Sequence, residues 1–327
     1  MRTRNVRQNV SIIMPVYNAE RFIDEAIDSV ISQTYFDWEL LIVDDCSTDK
    51  SSVIVDNYLR SDSRIRYLKT DKCSGSPAFP RNLGINEAKG RYIAFLDSDD
   101  KWLPNKLEDQ LKVLVQPEIA IVFSNYEKIG WDSKRYGRKI IAPSIVDYLL
   151  LLKGNCIGCL TAMYDTVKVG KVFFKNMGHE DYIMWLSILK KGYQARNTDT
   201  VAALYRVGGH SISSNKLKTM LWQWSILRNE EQLPIYKATY FLFIILHKRS
   251  FTDFLFKFFL IEGFKKIATR ITMYLWLNNH NPIYIGLYYI HIQSPTLLTV
   301  FFTILFYKLF QSFGHIMNKI ISSLINR

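Results

Sequence analysis

The segment Tyr92–Pro104, YIAFLDSDDKWLP, decides the fold. Residues Tyr92–Asp97 have the apolar and aromatic character of a buried β-strand, and this strand runs directly into Asp97, Asp99 and Asp100. Carboxylates are costly to bury without partners, so a core strand that ends in them must end at the rim of its sheet. The segment therefore predicts a sheet with an acidic cluster at one edge, where a ligand would bind.

Upstream of this segment, short apolar runs alternate with helical periodicity. VSIIMPVY, WELLIVDD, IRYLKT and RYIAFLD predict strands. AERFIDEAIDSVISQ, STDKSSVIVDNYLR and FPRNLGINEAKG predict amphipathic helices, the last of them closed by Gly90. Continuous apolar strands that alternate with helices predict an α/β fold, with a mostly parallel sheet covered by helices on both faces.

The carboxyl ends of the predicted strands carry the polar residues that a site would need. The first strand ends in 15–18 (PVYN), the second in 44–47 (DDCS) and the fourth in 97–100 (DSDD). Ligands of such sheets bind beyond these strand ends. Two carboxylates at i and i+2 can both reach one Mg²⁺ or Mn²⁺ ion, which takes one or two carboxylates together with substrate phosphates. The alternative is that Asp99 or Asp100 caps the helix that follows.

Two common phosphate-binding motifs are absent from the sequence. No GxGxxG follows the first strand, and no GxxxxGK[ST] occurs, which disfavours the usual dinucleotide fold and a P-loop NTPase. The phosphates of a nucleotide would therefore need a metal ion and cationic side chains.

After Pro104 the pattern becomes less regular. NKLEDQLKVLV predicts a helix and IAIVFSNYEKI a strand; GNCIGCLTAMYD and GHEDYIMWLSILKKG follow, and YQARNTDTVAALYRV predicts the last strand. From about Lys216 the sequence is helical and aromatic. These changes predict a catalytic domain over 1–215 and a helical C-terminal region over 216–327.

The overall composition is that of a globular protein with an anionic partner. The chain has 327 residues, of which 48% are hydrophobic and 22% charged, and a formal charge of +12. From Ile235 onward, ten Lys and Arg face two acidic residues, so this tail carries +8 of that charge. Nucleic acid, a phosphorylated ligand and a membrane surface all fit such a balance.

The cysteines and the apolar runs indicate where the protein acts. The four cysteines are Cys46, Cys73, Cys156 and Cys159. The CxxC pair has no second pair to complete a zinc site, so reduced cytosolic thiols are expected. The N-terminus lacks a signal-peptide core, and no apolar run reaches the roughly 18 residues of a spanning helix. Export is not expected.

Three separated segments resemble the family 2 glycosyltransferases of the GT-A (Rossmann-like) fold. They are VSIIMPVYNAERFIDEAIDSVISQTYFDWELLIVDDCSTD, PRNLGINEAKGRYIAFLDSDD and GHEDYIMWLSILKKG, and the resemblance covers roughly residues 8 to 215. It is nearest to bacterial enzymes that build O-antigen, capsule or exopolysaccharide units. The resemblance implies a nucleotide-sugar donor, best taken as a UDP-sugar, a divalent metal (Mn²⁺ or Mg²⁺) and inversion at the anomeric carbon.

The resemblance also implies residue roles on the donor side. Pro15 and Tyr17 would form the floor of the nucleobase site, with Tyr17 stacking on the base. Asp45 would accept the imide proton of uracil, and Arg81 would be a cation of the donor site.

For the reacting groups, Asp99 would be the surer metal ligand, and Asp97 would bind the metal or the ribose. Asp181 would be the general base, with Glu180 orienting the acceptor. Inversion by a single displacement needs such a base on the opposite face of the sugar. Glu180 and Asp181 lie at a predicted helix start, where the dipole favours carboxylates; an ordinary acidic helix start is the alternative.

The late segments are less specific. His210 fits either a metal or diphosphate contact or a surface loop, and Trp222 and Trp224 fit packing better than sugar stacking. The processive members of the family carry QxxRW and spanning helices; this chain has neither, which predicts one sugar added per encounter. The tail beyond 236 fits a membrane-interface segment or a packed helical subdomain. A lipid-linked acceptor, such as a sugar on undecaprenyl diphosphate, would explain a cytoplasmic enzyme that is peripheral to the inner face of the membrane.

Three other functional classes compete with this interpretation. A nucleotidyltransferase also uses carboxylates and Mg²⁺ on an α/β sheet, but its glycine-rich basic signature is absent. A nucleic-acid-binding protein is disfavoured because the basic residues concentrate in an apolar tail. An inactive scaffold or a basic membrane adaptor is disfavoured because the acidic motifs are intact.

Overall fold

A computed structural model describes residues 10–208 and 216–248 of the chain. The chain divides into two compact units, Met1–Ser214 and Asn215–Arg327. The predicted roles of a catalytic domain and a helical membrane-associating region stay predictions. His210 and the predicted tail segments beyond residue 248 lie outside the described residues.

One mixed sheet organises the described part of the first unit. Its strands are β1 (Val10–Val16), β2 (Trp38–Asp44), β3 (Ile65–Lys69), β4 (Tyr92–Phe95), β5 (Lys101–Trp102), β6 (Ile119–Ile129), β7 (Arg135–Ile140), β8 (Ile145–Val146), β9 (Met163–Asp165) and β10 (Gln194–Arg206). The order is β3-β2-β1-β4-β9-β6-β10-β5, with β7 paired to β6 and β8 paired to β10.

Helices flank this sheet. They are α1 (Ile23–Ile31), α2 (Ser51–Ser61), α3 (Ala78–Glu87), α4 (Lys106–Leu114), α5 (Tyr148–Leu152), α6 (Thr166–Val169) and α7 (Glu180–Leu189), with a 3₁₀ turn at Cys159–Thr161. The predicted α/β architecture of a sheet flanked by helices is confirmed.

The continuous apolar strands form the core, as their composition predicts. All seven residues of β1 and all seven of β2 are buried. Most of the apolar stripe of α1, spaced for one helical face, is fully buried and belongs to the same hydrophobic cluster as these strands. Its buried residues are Ile23, Ala26, Ile27 and Val30, and Ile31 is partly buried. Burial on both faces explains why these strands lack the alternation of a half-exposed sheet.

The sheet is parallel in its N-terminal half and mixed beyond it. The strands β3, β2, β1 and β4 run parallel to their neighbours. The short strand β9 then pairs antiparallel with both β4 and β6, and β6 and β10 run parallel to each other. Because β9 is antiparallel to both of its neighbours, β4 and β6 run in the same direction. The carboxyl ends of β1, β2, β4, β6 and β10 therefore lie along one rim.

Local endings differ in two places from the sequence expectation. The helix α3 ends at Glu87, and Gly90 does not close it; the backbone N–H of Gly90 instead donates to the buried hydroxyl of Ser11 at 2.8 Å. The strand β4 ends at Phe95, two residues before the first aspartate. Leu96 continues the core and donates its N–H to the carbonyl of Ile13 at 3.1 Å.

The described part of the second unit is helical, as predicted. It contains α8 (Lys216–Ser225), a π-helical turn at Ile226–Glu230 and α9 (Ile235–Lys248). Trp224 is fully buried, which agrees with a packing role. Within the described ranges, no helix is both long and apolar enough to cross a membrane.

Candidate active site

The end of β2 is tied to the loop that follows β3. One carboxylate oxygen of Asp45 accepts from the hydroxyl of Thr70 at 2.8 Å, and the other accepts from the hydroxyl of Ser74 at 2.7 Å. The backbone N–H of Ser74 also donates to Asp45, at 3.0 Å. These donors hold a buried carboxylate in one orientation, which a carboxylate needs if it is to recognise a base edge.

The end of β1 leaves an aromatic ring free at the same rim. Pro15 lies inside β1 and is buried, whereas the side chain of Tyr17 is 58% exposed. Asn18 follows in the left-handed region, with φ of 49°, and its Oδ1 accepts from the backbone N–H of Thr48 at 2.8 Å. This turn fixes the backbone on both sides of Tyr17 while its ring stays accessible for stacking.

The acidic loop after β4 carries three different carboxylates. Asp97 accepts from Arg81 at 2.6 Å. Burial and the neighbouring Asp97 raise the pKa of Asp99 to about 6. Asp100 is 1% exposed, and burial together with Asp99 raises its pKa well above the usual range. The loop therefore crowds three carboxyl groups together, two of them in surroundings that disfavour their charged form.

None of these aspartates caps the next helix. The helix α4 begins at Lys106 after Asn105, with no side-chain cap. One oxygen of Asp100 accepts from the backbone N–H of Arg206 at 2.8 Å, and its Oδ2 is buried with no hydrogen-bond partner. The helix-cap alternative thus fails, and the acidic loop remains unexplained by local structure.

Arg206, at the end of β10, fixes this loop. Its Nε donates to the carbonyl of Asp99 at 2.7 Å, and its two terminal nitrogens donate to the carbonyl of Gly130 at 3.0 Å, the hydroxyl of Ser133 at 2.9 Å and Glu25 at 3.1 Å. The guanidinium is buried and lies 4.0 Å from the ring centroid of Phe22. No sequence pattern marks Arg206 as a site residue, because its partners are dispersed from Glu25 to Ser133 in the chain.

Arg81 of α3 connects two groups of predicted site residues. One terminal nitrogen binds Asp97 at 2.6 Å and the other binds Glu180 at 2.8 Å, while the side chain is only 5% exposed. The two carboxylates raise the pKa of Arg81 against the opposing effect of its burial. Both terminal nitrogens are therefore engaged by protein carboxylates. The role of Arg81 as a cation of the donor site, which the resemblance implies, stays a prediction.

Asp181 lies in the first turn of α7, next to Glu180. Its Oδ1 accepts from the backbone N–H of Tyr182 at 2.7 Å, and its Oδ2 accepts from Nδ2 of Asn155 at 3.0 Å. Burial and the neighbouring Glu180 raise the pKa of Asp181 to about 6. A carboxylate with such a pKa can both hold and release a proton near neutral pH, as a general base must.

The residues around Asp181 are drawn from separate parts of the chain. His179, with φ of 62°, turns the backbone into α7. Burial raises the pKa of the Cys159 thiol well above the usual range. The thiol also interacts electrostatically with four site residues: Arg81, Asp97, Glu180 and Asp181. No local motif marks Asn155 or Cys159 as site residues, so neither was among the predicted site residues.

The chemistry of the rim fits a divalent metal held jointly by the protein and a diphosphate. In the described residues no three His, Cys, Asp or Glu side chains form a complete metal site. Asp97 and Asp99 offer two hard oxygen donors, and burial together with like charge raises the pKa values of Asp99 and Asp100 beside them. Mg²⁺ and Mn²⁺ are usually bound through one or two carboxylates with substrate phosphates completing the shell.

The structure thus brings Arg81, Asp97, Glu180 and Asp181 together by direct contact or charge. Tyr17 and Asp45 lie at the ends of β1 and β2, which are adjacent to each other in the sheet. The main chain supports this adjacency, since the N–H of Asp45 donates to the carbonyl of Val16 at 2.8 Å.

Comparison with known proteins places this arrangement among sugar transferases. Residues 11–169 match the family model described as glycosyl transferase family 2. The chain is 40% identical over 237 residues to a Bacillus subtilis (strain 168) protein provisionally named teichuronic acid biosynthesis glycosyltransferase TuaG, with 72% of this chain and 94% of that protein covered.

A second relative carries a more specific name. The Escherichia coli UDP-Glc:alpha-D-GlcNAc-diphosphoundecaprenol beta-1,3-glucosyltransferase WfgD is 42% identical over 234 residues, with 71% of this chain and 90% of that protein covered.

Two solved structures share the fold. Staphylococcus aureus TarS 1–349 in complex with UDP-GlcNAc aligns with a TM-score of 0.57 at 22% identity, over 73% of this chain and 71% of that one. The mannosyltransferase PcManGT from Pyrobaculum calidifontis, in complex with GDP-Man and Mn²⁺, aligns with a TM-score of 0.55 at 17% identity, over 97% and 86%.

Proposed function

The chain belongs to glycosyl transferase family 2, and on that premise we propose that it moves one sugar, with inversion, from a nucleotide sugar to a saccharide acceptor. It is a glycosyltransferase of bacterial surface polysaccharide biosynthesis. The observation that carries the finer proposal is the contact of one buried guanidinium, Arg81, with both Asp97 and Glu180. This contact joins the acidic loop to the start of α7, where Asp181 lies.

The donor is proposed to be a UDP-sugar. The exposed ring of Tyr17 is available to stack on a base, and the oriented carboxylate of Asp45 would accept an imide proton, which uracil offers. The name of WfgD includes UDP-Glc, and TarS has been solved with UDP-GlcNAc, which supports the same choice. A guanine nucleotide is the alternative, because PcManGT has been solved with GDP-Man.

Asp99 and Asp97 are proposed to hold Mn²⁺ or Mg²⁺ with the donor diphosphate. When bound, the metal would offset the charge that develops on the departing diphosphate. Asp97 also accepts from Arg81 through Oδ1, which fixes one of its two oxygens. Arg206 holds the backbone of Asp99 in place, which keeps the acidic loop preorganised.

Asp181 is proposed to act as the general base. It would take the proton of the acceptor hydroxyl while that oxygen bonds to the anomeric carbon from the face opposite the diphosphate. The bond from the anomeric carbon to the diphosphate oxygen breaks in the same displacement, and the nucleoside diphosphate leaves with the electron pair. Asn155 and the N–H of Tyr182 hold the carboxylate of Asp181 in a fixed orientation for this step.

Glu180 is proposed to serve Arg81 rather than the acceptor alone. Its carboxylate is bound to Arg81 at 2.8 Å, so it places α7 relative to the acidic loop. The predicted role of Glu180, orientation of the acceptor, would therefore be an indirect one. Glu180 would position the turn that carries Asp181.

The acceptor is proposed to be lipid-linked, and the enzyme peripheral to the inner face of the cytoplasmic membrane. The name of WfgD includes a GlcNAc-diphosphoundecaprenol acceptor, and this chain covers 90% of that relative. The high positive charge of the chain, +12, suits an anionic lipid surface.

A donor screen tests this proposal. Purified protein is mixed with UDP-, GDP- and dTDP-sugars at fixed Mn²⁺, and release of free nucleoside diphosphate is followed with and without EDTA. Slow, metal-dependent UDP release from one donor, lost in Asp99→Ala, is the expected result. If neither release nor calorimetric binding is found for any donor, the assignment of the acidic rim as a donor site is wrong.

A further inference from the structure

The hairpin formed by the end of β6, its turn and β7 is strongly basic. We define the basic hairpin as residues 126–141. It carries five cations and two acids: Lys128, Lys134, Arg135, Arg138 and Lys139 against Glu127 and Asp132. Its net charge is therefore +3, in a unit whose neighbouring rim is acidic.

Ion pairing inside the hairpin leaves part of this charge unneutralised. Arg135 binds Glu127, and Lys134 binds Asp132 at 3.3 Å. Arg138 has no acidic partner within the described residues, and Lys139 lies opposite Glu127, which Arg135 already engages. Excess positive charge is thus concentrated on the C-terminal half of β7.

The same strand is exposed along its length. Each residue from Arg135 to Lys139 is exposed, and in the described sheet β7 pairs with β6 alone, as an edge strand. Tyr136 is 63% exposed and Ile141 is 68% exposed. Tyr136 and Arg138 are both exposed, on either side of Gly137, whose φ of 69° accompanies a register shift between β6 and β7. Aromatic and aliphatic side chains interspersed with cations are typical of a surface that enters the headgroup layer of a membrane.

The turn of the hairpin is fixed to the catalytic rim. The guanidinium of Arg206 binds the carbonyl of Gly130 and the hydroxyl of Ser133 in the turn, and the same group binds the carbonyl of Asp99 in the acidic loop. A surface that seats the hairpin would therefore also set the position of the acidic loop.

We propose that the basic hairpin docks the catalytic unit onto an anionic lipid bilayer and so holds the rim next to a membrane-embedded acceptor. The functional role of this docking rests on the proposed function, in which the acceptor is lipid-linked. Opposite charge selects the bilayer as the partner, since cations near an anionic leaflet each add favourable binding energy. A second copy of the chain is a poor partner, because lysine and arginine on an edge strand repel the same strand of another molecule.

Vesicle sedimentation with the full chain tests the proposal. The wild-type protein, the double variant Arg138→Glu/Lys139→Glu and a matched control, Lys50→Glu/Arg60→Glu, are spun with phosphatidylglycerol-containing vesicles and with neutral phosphatidylcholine vesicles. The control changes the same charge on two exposed residues, Lys50 directly before α2 and Arg60 within it. The hairpin variant is expected to lose about tenfold or more in partitioning to anionic vesicles, and the control less than about twofold.

Several outcomes would overturn the proposal. One is a hairpin variant that sediments like the wild type, which would assign any binding to another surface such as the tail. Another is wild-type binding to neutral vesicles that equals its binding to anionic vesicles. A third is wild-type binding to duplex DNA that is as tight as its binding to anionic vesicles and is lost in the hairpin variant. Sedimentation needs no sugar transfer, so its failure is distinguishable from a failed donor screen. Transfer to a soluble acceptor analogue should stay unchanged in the hairpin variant, which shows that the fold is intact.

Discussion

Removal of the Asn155 amide should raise the pH at which the enzyme gains activity. Asp181 accepts two hydrogen bonds, from Asn155 at 3.0 Å and from the N–H of Tyr182 at 2.7 Å. Both stabilise the ionised carboxylate, against burial and Glu180, which raise the pKa of Asp181 to about 6. The variant Asn155→Ala removes one of the two donors and leaves the rest of the turn in place.

The size of the shift follows from the strength of that hydrogen bond. A hydrogen bond to a charged group contributes about 1.5 kcal/mol, which corresponds to about one pKa unit. The acidic limb of the rate profile should therefore move from about pH 6 to about pH 7. The base acts ionised, so activity is present above the limb and lost as the pH falls; the variant should be about fivefold slower at pH 6 and equal to the wild type at roughly pH 8.5.

The assay is sugar transfer measured from roughly pH 5 to 9 with saturating donor and metal. Saturation matters because the pKa of Asp99 is also about 6, so that donor binding titrates in the same range. The other titratable groups that face Asp181 are Glu180, Arg81 and the Cys159 thiol, and all three are kept in the variant. Asn57→Ala, at an exposed position of α2, is the matched control and should keep the wild-type profile. A rate that falls equally at every pH, or a limb that does not move, would refute Asn155 as the residue that holds the base.

Three further variants test the other parts of the site. Asp99→Asn should abolish metal-dependent donor binding in calorimetry at neutral pH while the circular dichroism spectrum is unchanged; undiminished binding would remove Asp99 from the metal site. Arg81→Met should lower the free energy of unfolding in urea by about 3–5 kcal/mol, because it leaves partly buried carboxylates of Asp97 and Glu180 without their cation; a loss below about 1 kcal/mol would contradict the bridge. Asp181→Asn should slow transfer by about 10²-fold or more and stabilise the fold on the order of 2 kcal/mol at neutral pH, since the raised pKa of Asp181 makes its charged form costly in the native state. That gain should shrink as the pH falls through about 6 and vanish below about 4, where the aspartate is protonated in both states; a gain that persists at low pH would point to packing instead.

Local sequence signals account for much of the fold. The uninterrupted apolar runs of β1 and β2 match strands buried over their whole length, and the periodicity of α1 matches its buried stripe. The acidic loop that follows β4 lies at the rim of the sheet, as the cost of burying unpaired carboxylates predicts. That cost did not predict the burial of Asp100 within this loop. The resemblance to a known family is confirmed by the family model and by two relatives at 40% and 42% identity.

Contacts between distant segments could not be predicted in this way. Asn155 precedes Asp181 by 26 residues, and Arg206 follows Asp99 by 107, so neither pair leaves a local pattern. The burial of Arg81 between two carboxylates was hidden for the same reason: its helix and α7 are 99 residues apart at the contact. The antiparallel pairing of β9 also depends on long-range packing, because three residues carry too little periodicity to fix a direction.

The stereochemistry of the product is the most direct test of the central claim that Asp181 drives a single inverting displacement. Wild-type protein, Mn²⁺ and UDP-glucose, or whichever donor the screen selects, are incubated with a synthetic GlcNAc-diphosphate-lipid, and the anomeric configuration of the new linkage is read by NMR. An α-linked donor should give a β-linked product, and Asp181→Asn should give almost none. An α-linked product, or undiminished transfer by Asp181→Asn, would contradict this mechanism.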